Sequence, residues 1–196
     1  MKRLFDILCV LGGLLILSPI FIVIAVLIKI DSKGPVYFRQ ERVGMNGVLF
    51  RIFKFRTMVV DAEKLGLKIT VGGDARITNV GFFLRKYKLD ELPQLFNVLF
   101  GEMSLVGPRP EVSEYVAYYS EDERKIIQSV RPGITDLASL EFRDENEMLR
   151  DAVNPKDVYI HEILPKKIAY YIEYVTRQNL LLDIKIILRT LAAIVR

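Results

Sequence analysis

The chain has 196 residues, of which 51% are hydrophobic and 27% charged, and a formal net charge of +4. That length suits one domain with a substantial core, and the basic balance points to anionic partners: nucleic acid, acidic lipid headgroups or phosphorylated substrates. A single cysteine, Cys9, excludes disulfides and thiolate metal clusters, and a single histidine, His161, argues against a His-based triad or a multi-His metal site.

The chain opens with 22 uncharged residues from Ile7 to Ile28. A straight helix of that length covers about 33 Å, enough for a bilayer core. The run is long for a signal peptide and lacks a small-x-small cleavage site. Ser18-Pro19 lies inside it. Pro19 removes a helical hydrogen bond and predicts a kink there, freeing a carbonyl near Leu15 that Ser18 is placed to satisfy. Both flanks are basic, with Lys2 and Arg3 before the run and Lys29 and Lys33 after it. A single span is normally oriented by charge asymmetry, so basic flanks on both sides favour a segment that enters and leaves on one side. A conventional span and a buried soluble helix are the alternatives.

A hairpin follows, with β-prone runs at Val36–Arg39 and Val48–Phe53 around a turn containing Gly44 and Asn46-Gly47. Arg39, Arg42, Arg51, Lys54 and Arg56 gather here against Glu41. They read either as a solvated strand face or as a surface toward phosphates or headgroups. Residues 57 to 65 read as a short helix, and a loop through Gly66, Gly72 and Gly73 lacks any nucleotide-binding spacing. A second short helix, 79 to 87, brings Arg85, Lys86 and Lys88 up to an adjacent acidic pair, Asp90-Glu91.

That pair stands at what reads as a helix start, with Asp90 as N-cap and Pro93 in the first turn. Leu92, Leu95, Phe96 and Leu99 recur behind it at core-facing spacing, and Gly107-Pro108-Arg109-Pro110 closes the segment. As a cap the pair is ordinary; as a site it would present an ionised carboxylate beside bound phosphate. Residues 111 to 130 read as one or two helices, Arg131 to Asp136 as a turn, 138 to 143 as a short strand, and Glu141 to Asp151 as a solvated acidic segment. A long helix is expected from Pro155 to Arg177. An amphipathic one follows from Leu180 to Val195, with Leu181, Ile184, Leu188, Leu191 and Val195 opposite Lys185, Arg189 and Arg196. No repeat or second domain is visible.

Carboxylates and cations beside a membrane segment, without His or Cys machinery, suit phosphoryl transfer, which asks mainly for positioning and charge neutralisation. A glycosidase reading fails, because its two acids must flank a bond about 5 to 9.5 Å apart. A hard cation such as Mg²⁺ could be held by one or two carboxylates with substrate phosphates, and an Asp can serve as nucleophile.

Lys54-Phe55-Arg56-Thr57-Met58, Asp74-x-Arg76-Ile77-Thr78, Leu84-Arg85, Leu89-Asp90-Glu91-Leu92-Pro93-Gln94-Leu95, Asn97-Val98, Met103 to Pro110 and Arg131-Pro132-Gly133-Ile134-Thr135 together resemble the bacterial sugar transferases. More narrowly, the chain resembles a small monotopic phosphoglycosyl transferase, over nearly its whole length. The resemblance implies a mainly helical α/β fold with a small β-hairpin, a re-entrant membrane helix over 1–30 broken at Ser18-Pro19, and amphipathic interfacial helices. Residues 31–196 would form a cytosolic, membrane-associated catalytic domain at the bacterial inner membrane, a minimal unit without the extra membrane helices of larger members.

It further implies transfer of a sugar-1-phosphate from a UDP-sugar to a polyprenol phosphate such as undecaprenyl phosphate, with release of UMP. Asp90 would be the nucleophile, Asp90 and Glu91 the Mg²⁺ site, and Arg85, Arg109, Arg56, Lys54 and Arg131 the substrate-phosphate contacts. On this reading the basic residues meet sugar nucleotide and lipid rather than nucleic acid. Two positions depart from the family pattern: Ala75, where Pro is common, and Asp136, where Gly is common. A non-catalytic membrane-surface module and a pyrophosphate hydrolase are the rival readings, and the sugar and the oligomeric state stay open.

Overall fold

The computed structural model describes residues 1–60, 62, 74–142, 145–150, 152 and 154–195. The glycine-bearing loop expected through Gly66, Gly72 and Gly73 lies outside them. Helix α1 (Lys2–Asp31) continues through Pro19 and is long and apolar enough to cross a membrane. Pro19 has no N–H to give the carbonyl of Leu15. The Ser18 hydroxyl donates to that carbonyl at 2.9 Å instead. Its outward side is bare in the middle, with Leu15 77% and Ile16 76% exposed, while Leu14 and Leu17 on the other side pack against the core.

Both ends of α1 are fastened to the rest of the chain. At its start, Lys2 Nζ donates to Asp183 at 2.6 Å, Arg3 donates to the carbonyls of Val98 and Leu99, and the buried Asp6 accepts from Ser104 Oγ at 2.8 Å. At its end, Asp31 accepts from the Val80 amide at 3.0 Å, and Arg56 holds the carbonyls of Ser32 and Lys33. The basic flank read from the sequence as a topology signal is thus also a set of tertiary contacts.

Strands β1 (Tyr37–Val43) and β2 (Leu49–Phe55) form the antiparallel hairpin, in register from Tyr37 opposite Phe55 to Val43 opposite Leu49. Asn46 and Gly47 take positive φ (56° and 75°) in the turn, as Asn-Gly favours. Phe50 and Ile52 on one face pack with Val10 of α1, Val98 and Met103. Alternation places Arg42 and Lys54 on that inward face too. Helix α2 (Asn79–Lys86) is N-capped by Thr78, and helix α3 is Gln94–Phe100. Asn97 of α3 holds the free edge of β2, accepting from Phe53 N at 2.8 Å and donating to Arg51 O at 2.9 Å.

Residues 57 to 60 do not start the expected helix; the rest of that segment, apart from Ala62, lies outside the described residues. Met58 bridges Ile77 instead, and Thr57 O accepts from Thr78 N. Gly81 permits this approach, since a Cβ there would lie 2.0 Å from Thr57 O. A second small sheet was not expected. Strands β3 (Ser104–Val106) and β4 (Gly133–Thr135) pair in parallel, bringing the Gly-Pro-Arg-Pro turn against Arg131-Pro132-Gly133. A Cβ on Gly133 would fall 2.1 Å from Gly107 N, so the crossing needs glycine.

Helices α4 (Ser113–Val116) and α5 (Glu121–Ile127) occupy the 111–130 stretch, the latter with a Ser120/Glu123 capping box. The strand expected at 138–143 is instead helix α6 (Leu137–Glu141). Asp136 dictates this by accepting from Ser139 N at 2.8 Å and Ser139 Oγ at 2.7 Å, an N-cap that periodicity does not reveal. Helix α7 (Glu145–Arg150) lies in the acidic segment expected to be solvated, but Leu149 is buried and Glu145 pairs with Lys167. Helix α8 (Pro155–Val158), a π turn (Tyr159–Ile163) and α9 (Leu164–Arg177) make up the long helix. His161 lies exposed on it.

Helix α10 (Leu180–Val195) seats Asp183 and Ile186 inward, while Leu181, Leu188 and Leu191 are 80%, 61% and 55% exposed. It therefore packs on the domain with one side and offers an apolar strip outward.

Candidate active site

Lys88 closes α2 in a left-handed conformation (φ 56°), and a single 3₁₀ turn over Leu89–Glu91 follows. Leu89 and Leu92 anchor this turn in a core built from Phe21, Ile24 and Ile28 of α1 with Phe55 and Leu84. The acidic pair thus rests directly on the apolar helix. Asp90 is not the N-cap of α3, as its sequence context suggested. Pro93 holds that position without a side-chain cap, and Asp90 lies one turn earlier, 8% exposed.

The two acids have opposite surroundings. Both Glu91 oxygens are engaged: Arg109 NH1 donates to Oε2 at 3.1 Å, Arg109 NH2 donates to Oε1, and Lys54 Nζ reaches Oε1 at 2.8 Å. Although burial opposes ionisation, these two cations hold the Glu91 carboxyl well below the usual range. Among the described residues Asp90 makes no hydrogen bond. Burial raises its pKa, Lys54, Arg85 and Lys88 pull it down, and the Glu91 charge pushes it up. The pair is therefore split into a locked carboxylate and an open, more basic one.

Arg85 borders the open carboxylate. Its Nε donates to Thr57 Oγ1 at 2.9 Å, and Asp90 and Asp74 are the anions that act on it most strongly. Burial lowers its pKa from the arginine value, and it stays cationic. Asp74 is tied to Arg76 through Nε at 2.9 Å and is held down to about 2, chiefly by those hydrogen bonds. Arg109 leaves the Gly-Pro-Arg-Pro turn toward Glu91, with Asp136 also in its field. Five charged groups, Lys54, Arg85, Asp90, Glu91 and Arg109, thus converge from β2, α2, the 3₁₀ turn and the loop after β3.

Among the described residues there is no cluster of three metal-ligating side chains. A hard divalent cation needs only one or two carboxylates when substrate phosphates complete its shell. Asp90, buried and without a hydrogen bond among the described residues, fits that role; Glu91 already has both oxygens bound to cations.

The sequence model of the bacterial sugar transferases matches residues 1–196. The chain belongs to the bacterial sugar transferase family. It is 42% identical to the UDP-glucose:undecaprenyl-phosphate glucose-1-phosphate transferase of Klebsiella pneumoniae, over 96% of this chain and 39% of that one. It is 38% identical to the UDP-N-acetylgalactosamine-undecaprenyl-phosphate N-acetylgalactosaminephosphotransferase of Aeromonas hydrophila, over 98% and 43%. A Caulobacter vibrioides UDP-glucose:undecaprenyl-phosphate glucose-1-phosphate transferase is 37% identical over 98% of this chain and 69% of its own. The chain spans about two fifths of the length of the first two relatives.

Two of the expected phosphate contacts are engaged with backbone carbonyls. Arg56, 5% exposed, donates to the carbonyls of Ser32 and Lys33 and to Ser32 Oγ, so it clamps the exit of α1. Arg131 Nε donates to Gly101 O at 2.8 Å, where it closes the C-terminal end of α3. A cation in a motif looks the same whether it binds phosphate or backbone carbonyls, so sequence alone did not separate them.

The sequence shows Arg42 only as part of a basic face. Arg42 lies between Gln40 Oε1 (2.6 Å), Pro110 O (3.2 Å) and Glu111 (3.8 Å), within the field of Arg109. Its place on the inward face of β1 was available from alternation once the register was known.

The two departures from the family pattern are locally accommodated. Ala75 is the exposed second residue of a turn closed by Ile77 N to Asp74 O, a position where Pro is favoured but not required. Asp136 is the α6 cap described above.

Proposed function

We propose that this protein transfers a sugar-1-phosphate from a UDP-sugar to undecaprenyl phosphate or a similar polyprenol phosphate, through a covalent phosphosugar on Asp90. The observation that carries this reading is the split pair: Glu91 locked by Arg109 and Lys54, and Asp90 buried beside it with no hydrogen bond among the described residues. A carboxylate raised by burial is a stronger nucleophile than a solvated one while remaining ionisable at neutral pH. Names of relatives such as the Klebsiella pneumoniae enzyme support the donor and acceptor classes.

In the first half-reaction an Asp90 oxygen attacks the sugar-bearing phosphorus. The bond from that phosphorus to the bridging oxygen breaks, and the electron pair leaves with UMP. In the second, an oxygen of the polyprenol phosphate attacks the same phosphorus and releases Asp90, giving the polyprenyl diphosphate sugar. Arg85 stands by to neutralise the transferred phosphoryl group. Arg109 and Lys54, held on Glu91, present a fixed positive wall whose remaining donors can meet the donor pyrophosphate. Mg²⁺, held through Asp90, would supply further charge neutralisation on the phosphates.

Helix α1 supports a seat in the membrane. Its two ends are tied to one body by Lys2–Asp183 and Asp6–Ser104 at one end and Asp31–Val80 at the other, and between them its outward side, with Leu15 and Ile16, is bare. Polar anchors at both ends suit a re-entrant helix dipping in from the cytosolic face of the inner membrane, with the exposed strip of α10 at the interface. UMP release from a UDP-sugar panel, with and without undecaprenyl phosphate and Mg²⁺, tests the activity. The expected result is acceptor-dependent turnover lost in Asp90→Asn. Full turnover in that variant would remove Asp90 as nucleophile, and salt-sensitive liposome binding without turnover would favour a membrane-surface module.

A further inference from the structure

We infer that Gln94 donates a hydrogen bond to the phosphoryl group while it is bonded to Asp90, an assignment that rests on the transferase reading above. Gln94 has 0% exposure, and neither its Oε1 nor its Nε2 has a partner among the described residues. Asn97, one turn further along α3 and equally buried, shows the contrast. Its Oδ1 accepts from Phe53 N, and its Nδ2 donates to Arg51 O at 2.9 Å and to Glu102 Oε2 at 2.7 Å. A buried amide left unpaired destabilises a fold, and a Met or Leu of similar size would avoid the penalty.

Placement says what the amide is for. Leu92 (φ −52°, ψ −37°) and Pro93 (φ −64°, ψ −11°) are both helical, so Gln94 follows Asp90 by about one turn of the same coil. The buried Asp90 carboxylate likewise has no hydrogen bond among the described residues. A phosphoryl group bonded to the Asp90 oxygen would carry acceptor oxygens one turn away, which the Gln94 Nε2–H donor can meet. Arg109 and Lys54 are anchored on Glu91 with their remaining donors toward the donor pyrophosphate, and the amide adds a neutral donor on the Gln94 side.

Gln94 exchanges no proton. As the Asp90 oxygen–phosphorus bond forms and the bond to UMP breaks, Nε2–H donates to a non-bridging phosphoryl oxygen. It does so again when the polyprenol phosphate attacks.

The test is Gln94→Met, assayed by UMP release with the UDP-sugar that the donor panel selects and undecaprenyl phosphate, beside thermal unfolding without substrate. Loss of a donor to transition-state charge predicts a kcat about 10- to 100-fold lower. The donor KM should stay within about threefold, and Tm should be unchanged or higher because an unpaired amide has gone. Gln94→Glu, of the same shape but carrying an acceptor, should lose at least as much kcat. Parental kcat in Gln94→Met overturns the inference, as does a fall in Tm that accompanies the fall in kcat, since either makes the amide structural. If the parent protein releases UMP from no donor, the transferase reading fails and this inference with it; a working parent beside an equally active Gln94→Met removes the inference alone.

Discussion

Arg109 and Glu91 face each other in a two-point pair, with NH1 3.1 Å from Oε2 and NH2 on Oε1. A planar guanidinium matches a carboxylate in this way and an ammonium does not. Arg109→Lys should therefore keep the charge but lose the geometry. We expect kcat to fall about 10-fold or more, and Arg109→Ala about 100-fold or more. Steady-state UMP release measures both, and equal activity of the Lys variant and the parent would show that charge alone matters.

The split pair also fixes the sign of two stability effects. Burial raises the Asp90 pKa, so the folded state binds more protons than the unfolded one just above the ordinary carboxylate range. Stability then falls as pH rises through that window, and Asp90→Asn should raise Tm at pH 7 while abolishing transfer. Glu91 is depressed, so its contribution is present above its ordinary value of 4.5 and is lost only as pH falls toward its low folded value. Glu91→Gln should lower Tm at pH 7, by less and less as the pH drops below the ordinary value. Thermal melts of the two variants across pH 3 to 8 check opposite signs.

Arg56 and Arg109 should separate cleanly in kinetics. Arg56 holds Ser32 and Lys33 at the end of α1 with 2.7 and 2.8 Å bonds. Hydrogen bonds from a charged group contribute about 1.5–3 kcal/mol each. Arg56→Ala should lower Tm by several degrees and leave the donor KM within about threefold. A large KM effect with an unchanged Tm would return Arg56 to the phosphate site.

The beginning of α1 is predicted to matter to the distant C-terminal helices. Lys2 meets Asp183 at 2.6 Å, and Tyr174 OH joins Asp183 at 2.7 Å and Val106 O at 3.1 Å. Asp183 is 1% exposed, so Lys2→Ala leaves a buried carboxylate half-compensated. Lys2 is itself about one-third exposed, and we expect a cost of about 1–3 kcal/mol, less than for a fully buried pair. In a double-mutant cycle with Asp183→Asn the two losses should not add. Strict additivity would mean that the contact contributes nothing.

Much of this was legible from residue order. The α10 helix starts at Leu180, where its apolar spacing starts, and Asn46-Gly47 turns the hairpin. Ser18 takes the Leu15 carbonyl that Pro19 gives up. What escaped reading depended on partners far away in sequence. Asp90 looked like a helix cap because Pro93 follows it, but the 3₁₀ turn packed on Phe21, Ile24 and Ile28 draws it inward, one turn ahead of α3. The β3–β4 pairing arises from a glycine crossing between residues 107 and 133, which no local pattern announces. Asp6 sits in an apolar helix start, and its buried carboxylate is met by Ser104 Oγ and the Leu105 amide. In the motif cations the chemistry was visible and the address was not: Arg85 and Arg109 border the acids, whereas Arg56 and Arg131 bind carbonyls.

The central claim is that Asp90 carries the sugar phosphate covalently. The most direct measurement is the intact mass of the protein after incubation with a UDP-sugar and Mg²⁺ but without polyprenol phosphate. The account predicts a phosphosugar adduct mapping to the peptide that contains Asp90, absent from Asp90→Asn and discharged when undecaprenyl phosphate is added. Acceptor-dependent turnover with no adduct under any quench, or with undiminished rate in Asp90→Asn, would contradict it.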